Sequence, residues 1–75
     1  MVTLNIKFKS LEEVQHFVDT VSKYDCDVDV SKGSVTLDGK SFQGLCTIGL
    51  NTTLVCTIHK DKDTESIVEE LKQFR

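Results

Sequence analysis

Lys40-Ser41-Phe42-Gln43-Gly44-Leu45-Cys46-Thr47-Ile48-Gly49-Leu50 is the stretch on which the reading of this chain turns. It is less regular than its surroundings, with no sustained strand alternation. Ser41 is placed to cap a short helix, and Gly49 is placed to end it. Towards the C-terminus, Leu54, Cys56 and Ile58 alternate with Val55, Thr57 and His59, which predicts a strand. Asp61-Lys62-Asp63-Thr64 then starts a last helix, with Ile67, Val68, Leu71 and Phe74 facing inward.

Towards the N-terminus, Val35 and Leu37 begin a strand that Asp38-Gly39 ends. Ser31-Lys32-Gly33-Ser34 reads as a tight turn joining it to an earlier strand. In that earlier strand Cys26, Val28 and Val30 alternate with Asp25, Asp27 and Asp29, giving it an acidic outer face. Before it, Ser10-Leu11-Glu12-Glu13 is a capping box, in which the serine caps the helix and Glu13 reaches back. Leu11, Val14, Phe17, Val18 and Val21 then share one helical face, His16 lies opposite, and Ser22-Lys23-Tyr24-Asp25 closes the helix. Val2, Leu4, Ile6 and Phe8 alternate with polar residues and form the first strand.

The order is therefore βαββαβα, an α+β chain. Each strand has one apolar and one polar face, so helices cover one side of the sheet and leave the other wet. With 75 residues, residues 1–75 are expected to form a single small domain. A chain this short has little room for both a scaffold and a deep catalytic pocket, and a surface site read by another macromolecule is the natural expectation.

Nine basic residues against twelve acidic ones give a net charge of -3. That balance argues against nucleic-acid and anionic-membrane partners, which reward a basic face. No apolar run approaches the ~18 residues of a membrane span, and the alternating N-terminus is unlike a signal-peptide core. Cys26, Cys46 and Cys56 are odd in number and lack CxxC spacing, which fits neither a disulfide framework nor a zinc site. They read as small hydrophobes, with Cys26 and Cys56 in the inward phase of their strands. A reduced, cytoplasmic protein without metal or cofactor is the expectation. No Ser-His-Asp order, glycine-rich phosphate loop or base beside a thiol is present, so no catalytic residue is assigned and the chain is read as a non-enzyme.

Two stretches resemble the HPr family, the phosphocarriers of the phosphoenolpyruvate-dependent sugar phosphotransferase system. Ser22-Lys23-Tyr24-Asp25-Cys26-Asp27-Val28 resembles the end of the first helix and the start of the second strand. Lys40 to Leu50 resembles the regulatory segment, which typically reads Lys-Ser-Ile-Met-Gly-Val-Met-Ser-Leu-Gly. The separation of the two stretches and the order of elements match as well. The resemblance implies an HPr-like open-faced β-sandwich, with a four-stranded antiparallel sheet covered on one face by helices.

The family carries its phosphoryl group on a histidine in a Gly-x-His-Ala-Arg-Pro motif at the start of the first helix. Carrying the register back from Ser22 puts Ser10 at the histidine, Glu12 at the arginine and Glu13 at the proline. Glu12 and Glu13 stabilise the helix start by ~0.3–1 kcal/mol each, but they repel an incoming phosphoryl group. Phosphoserine is a stable ester and a poor phosphoryl donor, so Ser10 reads as a structural cap. His16 lies past the first turn, where backbone N–H groups are already used, and His59 lies far along the chain; both read as solvent-facing.

By the same resemblance, Ser41 corresponds to the serine that a dedicated kinase phosphorylates from ATP in Gram-positive members, with Lys40 adjacent. Its ordinary alternative is a helix cap worth ~1 kcal/mol, and one residue can serve as both. Phe42, Gln43 and Cys46 correspond to the positions that contact the partner enzyme and a transcriptional regulator. An exposed Phe42 would anchor such a contact; the alternative is that Phe42 packs inward.

Three functions follow. The first is a regulatory or interaction protein similar to the Crh branch, which lacks the histidine, keeps the serine and acts in catabolite repression. Its partners would be proteins, an HPr kinase and a transcriptional regulator, and the chain would be a monomer or weak homodimer. The second is a phosphocarrier with an unconventional acceptor. The third is an HPr-scaffold binding module for an unrelated partner.

Overall fold

A computed structural model describes all residues 1–75. The elements are β1 (Val2–Ile6), α1 (Leu11–Val21), β2 (Asp27–Lys32), β3 (Val35–Asp38), α2 (Phe42–Leu45), β4 (Leu54–His59) and α3 (Glu65–Leu71), with a 3-10 turn at Lys72–Phe74. The strands form one antiparallel sheet in the order β1-β4-β2-β3. This is the four-stranded α+β arrangement expected from the sequence.

Register explains the two faces. Val2, Ile58 and Val28 lie in one cross-strand row, and Leu4, Cys56, Val30 and Leu37 lie in the next. These rows are buried or half-buried beneath the helices. The alternate rows, Thr3-Thr57-Asp29-Asp38 and Asn5-Val55-Ser31-Thr36, face outward. Under the helices, Val14, Phe17 and Val21 of α1, Leu45 of α2, and Ile67 and Leu71 of α3 complete one core. Phe8, Phe17 and Phe74 meet edge to face, with ring centroids 5.2–6.1 Å apart. That geometry is favoured by the ring quadrupoles. The Lys7 N–H donates to the Phe74 carbonyl at 2.7 Å and fastens the C-terminal turn to the end of β1.

Four local expectations are corrected. Leu11 was expected on the core face of α1, yet it is 51% exposed. A helical side chain leans towards the N-terminus, so the first residue of α1 leans past the helix start and core contact begins with Val14. Ser31 and Lys32 belong to β2 rather than to the turn, because they pair with Thr36 and Val35. The turn is only Gly33-Ser34, and Gly33 supplies its positive φ of 60°. α2 stops after Leu45, well before Gly49. There the Thr47 and Ile48 N–H groups bond three residues back, and the Thr47 hydroxyl donates to the Gly44 carbonyl at 2.6 Å. Gly49, with φ 108°, turns the chain further on. The last helix breaks into a 3-10 turn before Phe74.

A polar clamp ties α1 to α3. The Tyr24 hydroxyl lies 2.9 Å from Glu70 Oε2 and 3.0 Å from Ser66 Oγ, and Lys23 Nζ lies 3.0 Å from Glu70 Oε1. Hydrogen bonds from Lys23 and then Tyr24 hold the Glu70 carboxyl below its usual range. The bond to Glu70 holds the Lys23 ammonium above its own.

Candidate functional site

Both serines singled out in the sequence sit at helix starts. Ser10 is the N-cap of α1, and its Oγ accepts the Glu13 N–H at 3.2 Å. Glu13 reaches back to the Lys9 N–H at 2.9 Å, one residue ahead of the serine itself. The donors that open at a helix start are thus partly met by the chain's own side chains. Glu12 is exposed beside them. The site therefore already carries negative charge where an anion would have to enter.

The segment after α2 is drawn to this place. The Asn51 N–H donates to the Phe8 carbonyl at 2.7 Å, with Asn51 in the left-handed region at φ 58°. Leu50, beside it, is 40% exposed. Leu50 and Leu11 are thus exposed leucines flanking a fixed Phe8–Asn51 contact. Periodicity placed Leu11 in the core and gave Leu50 no role. Leu50 entered the sequence reading only as the last residue of the segment that resembles the family's regulatory stretch.

Ser41 is the N-cap of the four-residue α2, and its Oγ accepts the Gly44 N–H at 3.3 Å. Gly44 lies close, since a Cβ there would stand 3.2 Å from Ser41 Oγ. Gln43 is exposed, while Phe42 and Cys46 are half-buried and pack against the core. Phe42 falls between the exposed and the inward-packed alternatives: it leans onto the core from the first position of α2 and presents only part of its surface.

The turn before Ser41 is tightly held. The Gly39 N–H donates to the Val28 carbonyl at 2.6 Å, and a Cβ on Gly39 would stand 2.7 Å from that oxygen. Asp38 accepts the Lys40 N–H through Oδ1 at 2.9 Å and the Ser41 N–H through its carbonyl at 3.1 Å. The Lys40 ammonium is not directed at Ser41. It donates to the Tyr24 carbonyl at 2.7 Å, beyond the end of α1.

The remaining reactive side chains lie elsewhere. His16 is exposed, with its ring edge-to-face on Phe74 at 5.6 Å. His59, expected to face solvent, does so but also bonds Asp29 Oδ2 at 2.7 Å. Asp27, Asp38 and His59 belong to a shallow cleft on the wet face of the sheet. Its carboxylates would oppose a phosphoryl group on His59 by like-charge repulsion. Cys56 is buried, and burial pushes its thiol up to about 12, which makes it a poor nucleophile. Cys26 and Cys46 are half-buried free thiols.

The geometry can be set beside known proteins. The family model described as "PTS HPr component phosphorylation site" matches residues 12–75, starting just past Ser10. No curated protein matches the chain. Among solved structures it is similar to HPr-C-His from Thermoanaerobacter tengcongensis, at 21% identity over 97% of this chain and 89% of that one, with a TM-score of 0.80. It is also similar to the phosphocarrier protein HPr from Bacillus anthracis str. Ames, at 20% identity over 97% of this chain and 94% of that one, with a TM-score of 0.74.

Proposed function

Because the chain belongs to the HPr family of the phosphotransferase system, we propose that it is a regulatory member of that family, controlled by phosphorylation of Ser41 and unable to relay phosphate through a histidine. On this reading residues 1–75 act as one HPr-like domain, with no catalysis of its own. The observation that carries it is the start of α1. Ser10 caps α1, and Glu12 and Glu13 stand in its first turn; in the register carried back from Ser22 these are the positions of the motif's histidine, arginine and proline. A serine ester there would be too stable to pass on, and the glutamates oppose a phosphoryl donor. Neither histidine of the chain has a cationic partner for a phosphate: His16 packs on Phe74 and His59 pairs with Asp29.

The contact face would include Gln43, the open part of Phe42 and Cys46. Leu11 and Leu50 add apolar surface beyond the residues first assigned. Partially exposed apolar groups with a polar rim suit a protein partner, here a kinase and a transcriptional regulator of catabolite repression. A missing histidine with a retained serine supports a protein similar to the Crh branch, acting in the cytoplasm.

The test is intact mass after incubation with ATP and an HPr kinase, beside a Ser41→Ala control. One added phosphate, lost in the control, is the expected result. No added phosphate would leave Ser41 as a helix cap and favour a binding module for an unrelated partner.

A further inference from the structure

We propose that Lys40 is a two-position arm: its ammonium closes the end of α1 in the unmodified protein and leaves it for the phosphate once Ser41 is phosphorylated. This rests on the reading of Ser41 given above and concerns how that modification is felt elsewhere in the fold.

The backbone around Lys40 cannot readily shift. Gly39 is held against the Val28 carbonyl, and the Lys40 and Ser41 N–H groups are both held by Asp38. The Lys40 side chain is therefore the part free to move. Its ammonium spends one of its three donors on a neutral carbonyl, that of Tyr24 at 2.7 Å. It has no carboxylate partner, whereas Lys23 and Lys72 are paired with Glu70 and Glu69. Between Lys32 and Lys60 it is the sole lysine or arginine.

A phosphate on the adjacent serine changes the competition. Phosphoserine carries close to two negative charges at neutral pH. The ammonium gains a direct ion–ion attraction from a phosphate that the neutral Tyr24 carbonyl cannot offer. The carbonyl that Lys40 releases belongs to Tyr24, whose N–H bonds the Val21 carbonyl at 3.1 Å and whose hydroxyl meets Ser66 and Glu70 of α3. Departure of the arm removes a bond from the residue that joins α1 to α3. Modification of α2 is thereby sensed at the far end of α1 with little movement of the backbone around Ser41.

Genetically encoded phosphoserine at position 41 tests this without the kinase. The readouts are the NMR coupling between Lys40 Nζ and the Tyr24 carbonyl, hydrogen exchange in the last turn of α1, and 31P titration of the phosphate with and without Lys40→Met. We expect the coupling to vanish on phosphorylation and exchange at the end of α1 to rise several-fold. The phosphate should titrate about half a unit lower with Lys40 present than without it. A coupling that persists would overturn the arm, whether or not the phosphate titration moves. So would a phosphate that titrates identically in both proteins. Failure of the kinase reaction alone would count against the proposed function and not against the arm, which the encoded phosphoserine reads directly.

Discussion

At the scale of single residues, the caps were legible because capping is local. Ser10 and Ser41 each lie three residues before the N–H they accept, and a three-residue interval can be read directly along the chain. Lys40 was not legible in the same way. Its partner is 16 residues away, and only the folded turn brings the two together. Leu11 was misread because helical periodicity assigns a face without saying where the covering layer ends. Gly39 is a residue whose need for glycine is steric. Gly39→Ala would push a methyl against the Val28 carbonyl, and overpacking of this kind costs ~1–3 kcal/mol; a matching drop in the urea midpoint is the expected outcome.

Cys56 gives a second residue-level test. Its pKa, held at about 12 in the fold against an ordinary 9.0, is raised, so the unfolded thiol ionises first. Stability on this account is unaffected below pH 9.0 and falls as pH climbs towards 12, because the unfolded state binds fewer protons there. Thiol labelling near neutral pH should modify Cys56 only with global unfolding, while the half-buried Cys26 and Cys46 react in the folded protein.

At the scale of elements, strands were read well because alternation is short-ranged, and Leu54–His59 emerged as expected. Element ends were read less well. Lys32 joined β2 because β3 was there to pair with it. The last helix tightened at Lys72–Phe74, where the Phe74 ring enters the Phe8–Phe17 cluster and its carbonyl accepts the Lys7 N–H. Phe74→Ala should cost ~3–5 kcal/mol, enough to unfold a large fraction of a chain this small; far-UV circular dichroism at 25 °C would report it. The α1–α3 clamp makes a pH prediction. Glu70 is depressed in the fold, so its contribution is present above the usual glutamate range and lost as pH falls through its lowered value. The stability gap between the native protein and Glu70→Gln should therefore be seen at pH 6 and close as pH drops well below about 4. An unchanged gap in acid would assign the clamp to packing.

At the scale of the whole molecule, β4 lies between β1 and β2 and completes a sheet whose pairing partners are far apart in sequence. Alternation does not supply that order; the likeness of Lys40–Leu50 to the family's regulatory segment pointed to the four-stranded antiparallel sheet, and the fold supplies its strand order. The same likeness brought the family's phosphorylation chemistry into view, and the proposed function rests on the start of α1, where Ser10, Glu12 and Glu13 stand. The most direct measurement is phosphoryl transfer from phosphoenolpyruvate through the first enzyme of the system, read by intact mass under alkaline conditions that preserve phosphohistidine. No phosphate is expected on the chain, while an authentic HPr in the same tube is fully modified. An acid-labile phosphate on His16 or His59 would contradict it and make the protein a carrier with a relocated acceptor.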